Sequence, residues 1–494
     1  KLGWRGESTD AWLSYQFQRD RIPQAGSLPE SMLLEDPRQN YTSGDFFRPA
    51  LDFLTLNAHQ HLGPGLSLAG NAFLRMLSAE QFNSSLVAPD TRLRNDTRSW
   101  GAALQLDHRA TLGAFRNQAT LGAEATRNEV HIRVEEEPNA GFPAARGVAG
   151  DFTDGQVGLA AFLQDSVQLA EGPLAGLGLR AAIRFDRITH DIADATPATP
   201  GAASGTAGYS LWVPAVGLTW AFAPEWLASL SWSQAARAPA FLELTCADPL
   251  APCIGLQAGV APDATFTSLA PVRSDALELG GAGPPPPGVT ASANAFWVGG
   301  HDDIYSVSGA GNTVWFQNVG ATRRLGLEAA LRVRLGMVDV AGSYAFTAAT
   351  FRDELVLGTP RTPTGVEQVR PGDRLPLVPE HVLDVEARLR PLDWLMVYAG
   401  AGFVGSQWFR GDEANEAAKL PGYWLVRAGA EPRSGRWSAT LRATNLLDAS
   451  YQPFGTFAPD GRLAGAPTVP FLTPGRPLGV LVGVCLGRRL AGPA

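Results

Sequence analysis

The stretch Trp437-Ser-Ala-Thr-Leu-Arg-Ala-Thr444 alternates apolar and polar side chains without a break. Successive side chains of a β-strand point to opposite faces, so this stretch predicts a strand with one apolar and one polar face. The same pattern, followed by a turn or a polar loop, recurs about 18 times between Thr9 and Leu486. Many such strands in series are typical of a transmembrane barrel. We therefore predict an all-β fold, an antiparallel transmembrane β-barrel.

Charges on the polar faces of these strands indicate what the barrel encloses. The strand over residues 383–389 has Leu383, Val385, Ala387 and Leu389 on one face and Asp384, Glu386 and Arg388 on the other. Several charges on one strand face would be costly in a dry core. They suit a water-filled lumen, in which they also pair across strands.

Composition narrows the class of protein further. The chain has 494 residues, 45% of them hydrophobic, and a mean hydropathy of -0.04. An outward apolar face and an inward polar face average to such a value. The net charge of -8 argues against nucleic acid as a partner, because binding phosphates needs a basic surface.

Connections between the predicted strands alternate in length. Short ones, such as Pro224-Glu225, carry the Pro, Gly or Asp that tight turns need. The long ones cover residues 24–47, 135–155, 192–209, 237–273, 352–380, 406–420 and 448–477. This alternation predicts short periplasmic turns at one end of the barrel and long extracellular loops at the other.

The cysteines leave two interpretations open. Cys246 and Cys253 lie seven residues apart in a loop, which in an exported protein predicts a local disulfide. The alternative is a metal-binding thiolate pair, although no histidine lies nearby in the sequence. Cys485 falls on a predicted strand and is interpreted as a small apolar residue.

No catalytic motif is found, so we expect no enzyme activity, no cofactor and no metal site. The sequence has no Gly-x-Ser-x-Gly elbow in a strand-to-helix setting, no His-Glu-x-x-His and no phosphate-binding loop. His59 and His61 share a strand face and are interpreted as a metal-free pair. His301-Asp302-Asp303 is interpreted as a solvated turn, and the acidic run over residues 135–137 as a solvated loop face.

Four segments, in the same order along the chain, resemble the C-terminal barrel of TonB-dependent outer-membrane receptors. They are Arg237-Ala-Pro-Ala-Phe-Leu-Glu-Leu244, Asn318-Val-Gly-Ala-Thr-Arg-Arg-Leu-Gly-Leu-Glu328, Asn445-Leu-Leu-Asp448 with Tyr451, and Phe471-Leu-Thr-Pro-Gly-Arg476 leading into the last strand. The resemblance extends from about Thr9 to the end of the chain.

The resemblance implies a cellular location, a partner protein and a transported solute. Receptors of this type lie in the bacterial outer membrane, contact its lipid and import ferric siderophores or similar scarce solutes. Transport in the family is driven by TonB, which acts on an N-terminal plug domain. No counterpart of that plug is found, so we expect Lys1–Ala494 to be an N-terminally truncated barrel domain. It would hold about 18–19 of the family's 22 strands.

The resemblance also directs attention to aromatic and basic residues of the long loops. Large rigid rings bind ligands at a low entropy cost, and arginine suits an anionic chelate. The candidate ligand-binding residues are Trp315, Phe316, Trp408, Phe409 and Arg410, with Phe454 and Phe457 as further candidates.

Two other functions remain open. A passive, porin-like channel would need a closed barrel with an inward constriction. A soluble, secreted β-rich binding protein would need no lipid at all. The solute is also open among ferric siderophores, haem, cobalamin, other metal chelates and oligosaccharides.

Overall fold

The computed structural model describes residues 1–250, 253–254, 268–286, 288–309 and 313–486. Its strands and helices follow in chain order: β1 (Leu2–Arg5), β2 (Thr9–Arg19), β3 (Ile22–Pro23), β4 (Leu28–Pro29), α1 (Glu30–Glu35), β5 (Phe46–Gly63), β6 (Leu66–Asn83), β7 (Asp90–Leu112), β8 (Phe115–Glu137), β9 (Gly147–Leu169), β10 (Leu177–Asp194), β11 (Gly205–Ala223), β12 (Trp226–Arg237), α2 (Phe241–Thr245), β13 (Cys253–Ile254), β14 (Val272–Gly283), β15 (Val289–His301), β16 (Ile304–Ser308), β17 (Thr313–Asn318), β18 (Thr322–Leu335), β19 (Val338–Phe351), β20 (Leu355–Gly358), β21 (Val366–Val369), β22 (His381–Leu392), β23 (Leu395–Val404), β24 (Tyr423–Ser434), β25 (Trp437–Thr444), β26 (Phe454–Pro459), β27 (Thr468–Thr473) and β28 (Gly479–Leu486).

One antiparallel sheet forms the wall of the barrel and confirms the predicted fold class. It contains 20 strands, each long strand pairing with the next long strand along the chain. The short β3 pairs with β5 beside it. The remaining members are the 18 strands expected from the alternation pattern and the fragment β1, which pairs with β2. The described helices, α1 and α2, are a single turn or two long, and neither is long and apolar enough to span a membrane.

Two-residue turns close six of the described hairpins at the periplasmic end, and four of these turns contain a glycine with a positive φ angle. The φ angles are 71° at Gly65, 62° at Gly113, 59° at Gly336 and 57° at Gly435. A two-residue hairpin turn that follows the strand twist needs φ > 0, which glycine adopts at no steric cost. At Gly65 a Cβ atom would also lie 2.1 Å from the carbonyl oxygen of Arg109.

The wall has an apolar outer face and a polar lumenal face. On β18, Leu327 and Leu331 point outward and are 43% and 49% exposed. Arg332, the residue after Leu331, has its side chain on the opposite face and pairs with Asp339 of β19 inside the lumen. Further along the lumenal wall, Arg427 lies 2.7 Å from Asp384. The charges that the sequence places on one strand face therefore meet as ion pairs across neighbouring strands.

Aromatic rings on the lumenal face lie over glycines of the adjacent strand. Phe162 is directly opposite Gly122, and a Cβ atom at Gly122 would lie 2.2 Å from the phenyl ring. Phe296 covers Gly326 in the same way. A ring that rests on a glycine compensates for the side chain that the glycine lacks and fixes the register of the two strands.

The strands β7, β8 and β9 each run for 23 residues and extend beyond the apolar band. The prediction of a loop over residues 135–155 is therefore wrong at both ends, since β8 continues to Glu137 and β9 begins at Gly147. In this extension the phase of the alternation reverses. Ile132 and Val134 of β8 are buried toward the barrel axis, whereas Arg133 points outward. Extracellular loops fill the mouth of the barrel here, so the apolar residues face inward.

Small sheets and apolar clusters organise the extracellular loops. The sheets are β13–β17–β16, β20–β21 and β26–β27–β4. Strand β27, which precedes the last wall strand, pairs with β4 near the start of the chain, with Leu472 opposite Leu28. The first and last long loops are thereby joined above the wall.

Candidate functional site

An apolar cluster holds the first loop, the loop over residues 405–422 and the last loop together. Leu28, Met32, Phe409, Leu420 and Leu472 are all buried in it. A hydrogen bond of 2.7 Å between Ser27 Oγ and Thr473 Oγ1 adds a polar link between the first and last loops. These loops therefore form a packed platform at the extracellular end.

A cavity of about 720 Å³ lies beside this platform. This volume is within the range of small-ligand pockets. Its wall comes from six connections between wall strands and includes Tyr41, Asp45, Ser84, Ser308, Pro360, Arg410, Phe454, Phe457 and Phe471. Most of the lining residues are small or aromatic, and few of them are charged.

Arg410 and Asp45 are the charged members of the described lining. Asp45 accepts hydrogen bonds of 2.7 Å from both the backbone N–H and the hydroxyl of Ser84. Arg410 donates from Nη2 to the carbonyl oxygen of Ser306 at 3.2 Å, and its backbone N–H donates to Gly455. Among the described residues, no carboxylate forms an ion pair with Arg410. Its guanidinium is therefore a positively charged donor group in the cavity wall.

Phe454 and Phe457, the two further candidates, also line the cavity. Both are half-buried, and the ring of Phe457 packs at a tilt against that of Phe409 with ring centroids 5.2 Å apart. Tyr41 was missed by sequence reasoning, although it lines the same cavity. Its ring meets Phe471 edge-on at 5.1 Å, and its hydroxyl accepts a hydrogen bond from Gly461 N–H. No motif around Tyr41 distinguishes it from other loop residues.

Trp315 and Phe316 take opposite sides of β17 and lie outside the cavity lining. Trp315 packs against the cluster of Val307, Phe351 and Leu357, and its indole N–H donates to Gln317 at 2.9 Å. Phe316 packs against the cluster around Phe152 and the two cysteines. Both rings hold the loop sheet against the wall in this structure.

Trp408 and Phe409 also pack within the loops. Phe409 is 9% exposed in the platform cluster. Lys419 Nζ lies 4.8 Å from the ring centroid of Trp408, a cation–π contact. The indole N–H of Trp408 is buried and has no hydrogen-bond partner among the described residues. Of the five candidate ligand residues, Arg410 lines the cavity, and the other four are not part of its lining.

The two loop cysteines are joined. Cys246 and Cys253 form a disulfide with a Cα–Cα distance of 5.7 Å. Both are buried beside Phe152 of the wall. The bond uses both sulfur atoms, so neither is a thiolate ligand for a metal in this structure.

The histidine and acidic groups for which no metal site is expected contact one another or nearby arginines. His59 and His61 stack edge-on at 4.6 Å on the lumenal face of β5. Asp303 accepts a hydrogen bond of 3.0 Å from Arg324. The acidic run over residues 135–137 belongs to β8 rather than to a loop, and Glu137 pairs with Arg92 at 2.5 Å. The described residues contain no group of three or more His, Cys, Asp or Glu arranged to hold a metal ion.

A polar lumen, an apolar outer band, short turns at one end and a cavity built from long loops at the other define an outer-membrane receptor barrel. The chain belongs to the TonB-dependent receptor-like β-barrel family, whose model matches residues 2–446. Members of this family are receptors and transporters of the bacterial outer membrane rather than enzymes, and they act with TonB and small ligands. The location of this chain is accordingly the bacterial outer membrane.

Solved structures of this fold agree with the assignment. The ferric citrate transporter FecA in its unliganded form matches with a TM-score of 0.77 and 16% identity, over 97% of this chain and 68% of that one. The ferric-catecholate import receptor Fiu from E. coli K12 matches with a TM-score of 0.73 and 15% identity, over 97% and 72%. The siderophore receptor PiuA from Acinetobacter baumannii matches with a TM-score of 0.75 and 15% identity, over 97% and 72%. At these identities the likeness concerns the fold.

Proposed function

We propose that this chain forms the barrel of a receptor that captures a ferric siderophore or a related anionic iron chelate for TonB-dependent uptake. The observation that carries the proposal is the loop-built cavity, whose lining contains four aromatic rings and an arginine with no carboxylate partner among the described residues. Ferric chelates often carry negative charge and flat donor groups, which suit a guanidinium and aromatic faces. FecA, a ferric citrate transporter, and Fiu, a ferric-catecholate import receptor, act on ligands of this class.

The division of roles follows from the architecture. The extracellular loops provide the capturing surface, and the wall provides the polar passage through the membrane. TonB would supply the energy for transport. Capture and transport are thus separable activities of the whole receptor.

Ligand binding is best tested on the full-length receptor in outer-membrane vesicles. We expect saturable binding of ferric citrate or of a ferric catecholate, and weak or no binding of cobalamin, haem and maltooligosaccharides. Saturable binding of one of the latter three, with none of any ferric chelate, would exclude the proposed ligand class.

Uptake distinguishes active transport from passive diffusion. Entry of the bound ferric chelate into intact cells should stop when TonB is absent. A porin-like channel predicts instead an entry rate that rises in proportion to solute concentration and is the same with and without TonB. That second result would favour the channel hypothesis.

The cavity arginine should determine the preference for anionic ligands. We expect Arg410→Ala to raise the Kd of an anionic ferric chelate about 10- to 100-fold, since hydrogen bonds between charged groups contribute ~1.5–3 kcal/mol. Binding isotherms of the anionic chelate and of a neutral ferric chelate measure the effect. The neutral chelate should lose much less affinity, because it does not use the charge.

Two variants control this experiment. Arg410→Lys keeps the charge but loses the planar fork, so its Kd should lie between the wild-type and alanine values. Arg436→Ala, in an exposed two-residue turn at the opposite end of the barrel, should bind like the wild type. An equal loss of affinity for both chelates in Arg410→Ala would assign Arg410 a structural role only.

A further inference from the structure

Buried carboxyl groups meet behind the cavity, at the junction of three extracellular loops. Glu413 and Asp412, of the loop over residues 405–422, are 3% and 0% exposed, and Glu367 of β21 is 6% exposed. Tyr305 of β16 and Arg361 of the loop between β20 and β21 complete the group. We name these five residues the carboxyl clasp.

The contacts within the carboxyl clasp link all three loops. The hydroxyl of Tyr305 donates to Glu413 at 3.1 Å, and the backbone N–H of Glu413 donates to Glu367 at 2.7 Å. Arg361 lies 3.2 Å from Glu367 and 3.3 Å from Asp412. The carboxyl clasp thus brings three buried carboxyl groups, of Glu367, Asp412 and Glu413, together with one guanidinium, that of Arg361. One cation cannot balance three buried carboxylates, so this arrangement favours a proton on a carboxyl group.

The carboxyl clasp is continuous with the cavity wall. Thr359 donates its hydroxyl hydrogen to the carbonyl oxygen of Gly411 at 2.6 Å. The neighbours of these two residues, Pro360 and Arg410, line the cavity. A change in the spacing between the β20–β21 hairpin and the loop over residues 405–422 would therefore move the wall of the cavity.

We propose that Glu367 and Glu413 share one proton that fastens three extracellular loops behind the cavity, and that loss of this proton in alkaline medium releases the β20–β21 hairpin. With the proton present, the pair carries one negative charge, which Arg361 balances only in part, because it also contacts Asp412. Without the proton, both buried glutamates carry a negative charge, and like charges on neighbouring buried groups repel strongly. The loops are the elements free to relieve this repulsion, because the wall below them is a continuous sheet.

The surroundings of the pair favour the protonated state. Burial, followed by the hydrogen bond and charge of Glu413, raises the pKa of Glu367 to about 8. Burial likewise raises the pKa of Glu413 above its ordinary value. Burial, and then the charge of Glu413, holds the pKa of Tyr305 well above its ordinary value, so the tyrosine stays a donor.

The other charged groups around the pair oppose this shift only in part. Arg361 lowers the pKa of Glu367, but it also serves Asp412 and the exposed Glu416, at 2.6 Å from the latter. Asp412 accepts hydrogen bonds from the backbone N–H groups of Glu416 and Ala417. Arg410 acts on Tyr305, whose pKa its charge lowers. Burial remains the largest influence on both glutamates.

The sign of the pH effect follows from these directions. A carboxyl group whose pKa is raised in the closed structure binds its proton more tightly there than in an open, solvated one. The closed arrangement is therefore most favoured at low pH and loses its advantage as pH rises toward about 8. Above that value the closed loops carry the full cost of the repulsion.

A distance measurement between the two sides of the carboxyl clasp tests the proposal. Nitroxide labels at Val356→Cys of β20 and Ala418→Cys, both exposed positions, report the spacing in the full-length receptor with Cys485→Ser. We expect one short distance at pH 6 and a second, longer population at pH 9.5. An unchanged distribution between these two pH values would overturn the proposal.

Amide variants identify the group that titrates. Glu367→Gln keeps a hydrogen-bond donor to Glu413 but cannot ionise, so its distance should stay short at both pH values. Glu413→Gln, which makes the same change on the other side of the shared proton, should do likewise and decides the matter if the first variant is already open at pH 6. Glu380→Gln, in a half-buried pair with Arg374 outside the clasp, should respond to pH like the wild type. A wild-type pH response in both clasp variants would also overturn the proposal.

Discussion

Replacing Ala329 with arginine should destabilise the barrel by about 2–4 kcal/mol, the cost of a basic side chain at the middle of a lipid-facing wall. Ala329 shares its face of β18 with Leu327 and Leu331, which are 43% and 49% exposed. It stands near the centre of the outward apolar series that runs from Leu325 to Leu335. A guanidinium there has no water and must bend toward an interface or thin the membrane.

The adjacent alanine provides a matched control. Ala330 is the next residue along β18 and therefore faces the lumen. It lies opposite Ser292 of β15 and Ser343 of β19. Arginine at position 330 would enter a wall that already contains the Arg332–Asp339 pair. We expect Ala330→Arg to cost less than about 1 kcal/mol.

Equilibrium unfolding in urea from lipid vesicles measures both variants. The midpoint of Ala329→Arg should fall well below that of the wild type, whereas the midpoint of Ala330→Arg should stay close to it. Equal losses for the two neighbours, or a larger loss for Ala330→Arg, would contradict the assignment of the two faces. The comparison is sharp because residue type, strand and depth are shared.

The wall could be predicted from the sequence because one physical constraint acts on every strand within the membrane. Leu331 faces lipid outside the barrel and Arg332 faces water inside it. Because successive side chains of a strand point to opposite faces, this difference appears in the sequence as a period of two. Beyond the membrane, apolar side chains face the interior of the barrel instead of its outside. Val134 faces inward against loops, so the upper parts of β8 and β9 were interpreted as loop.

The candidate site could be predicted only in part, for a related reason. Loop residues have no period, so the ligand-binding candidates rested on residue type alone; of these, Arg410 lines the cavity, whereas Phe409 is buried in the platform. Tyr41 reaches the cavity because β4 pairs with β27, a contact across almost the whole chain. Glu367 and Glu413 meet across two loops, and neither stands in a motif.

Removing the guanidinium of Arg361 should open the carboxyl clasp and is the second large expected effect. Its partners Glu367 and Asp412 have side chains that are 1% and 0% exposed. Taking away one partner of a buried ion pair leaves uncompensated charge and costs about 3–5 kcal/mol. We expect Arg361→Ala to lose that amount of local stability, while the wall sheet below keeps its own.

Hydrogen exchange of the loop amides measures this loss. The backbone N–H groups of Glu413, Glu416 and Ala417 donate to clasp carboxylates, so their protection reports the closed state. At pH 8 their protection factors should fall about 100-fold or more in Arg361→Ala, since each ~1.4 kcal/mol is tenfold. Arg433→Ala removes an exposed pair with Glu431, with side chains 69% and 27% exposed, and should change protection little.

The pH dependence separates lost charge balance from lost packing. Arg361 lowers the pKa values of Glu367 and Asp412, so both rise further when it is removed. Groups whose folded pKa is raised stabilise the closed state below their ordinary values and lose that contribution as pH increases. The defect of Arg361→Ala should therefore be smallest near pH 4 and grow toward pH 8 and above. A defect of the same size at both ends of this range would mean that Arg361 acts through the packing of its stem rather than through its charge.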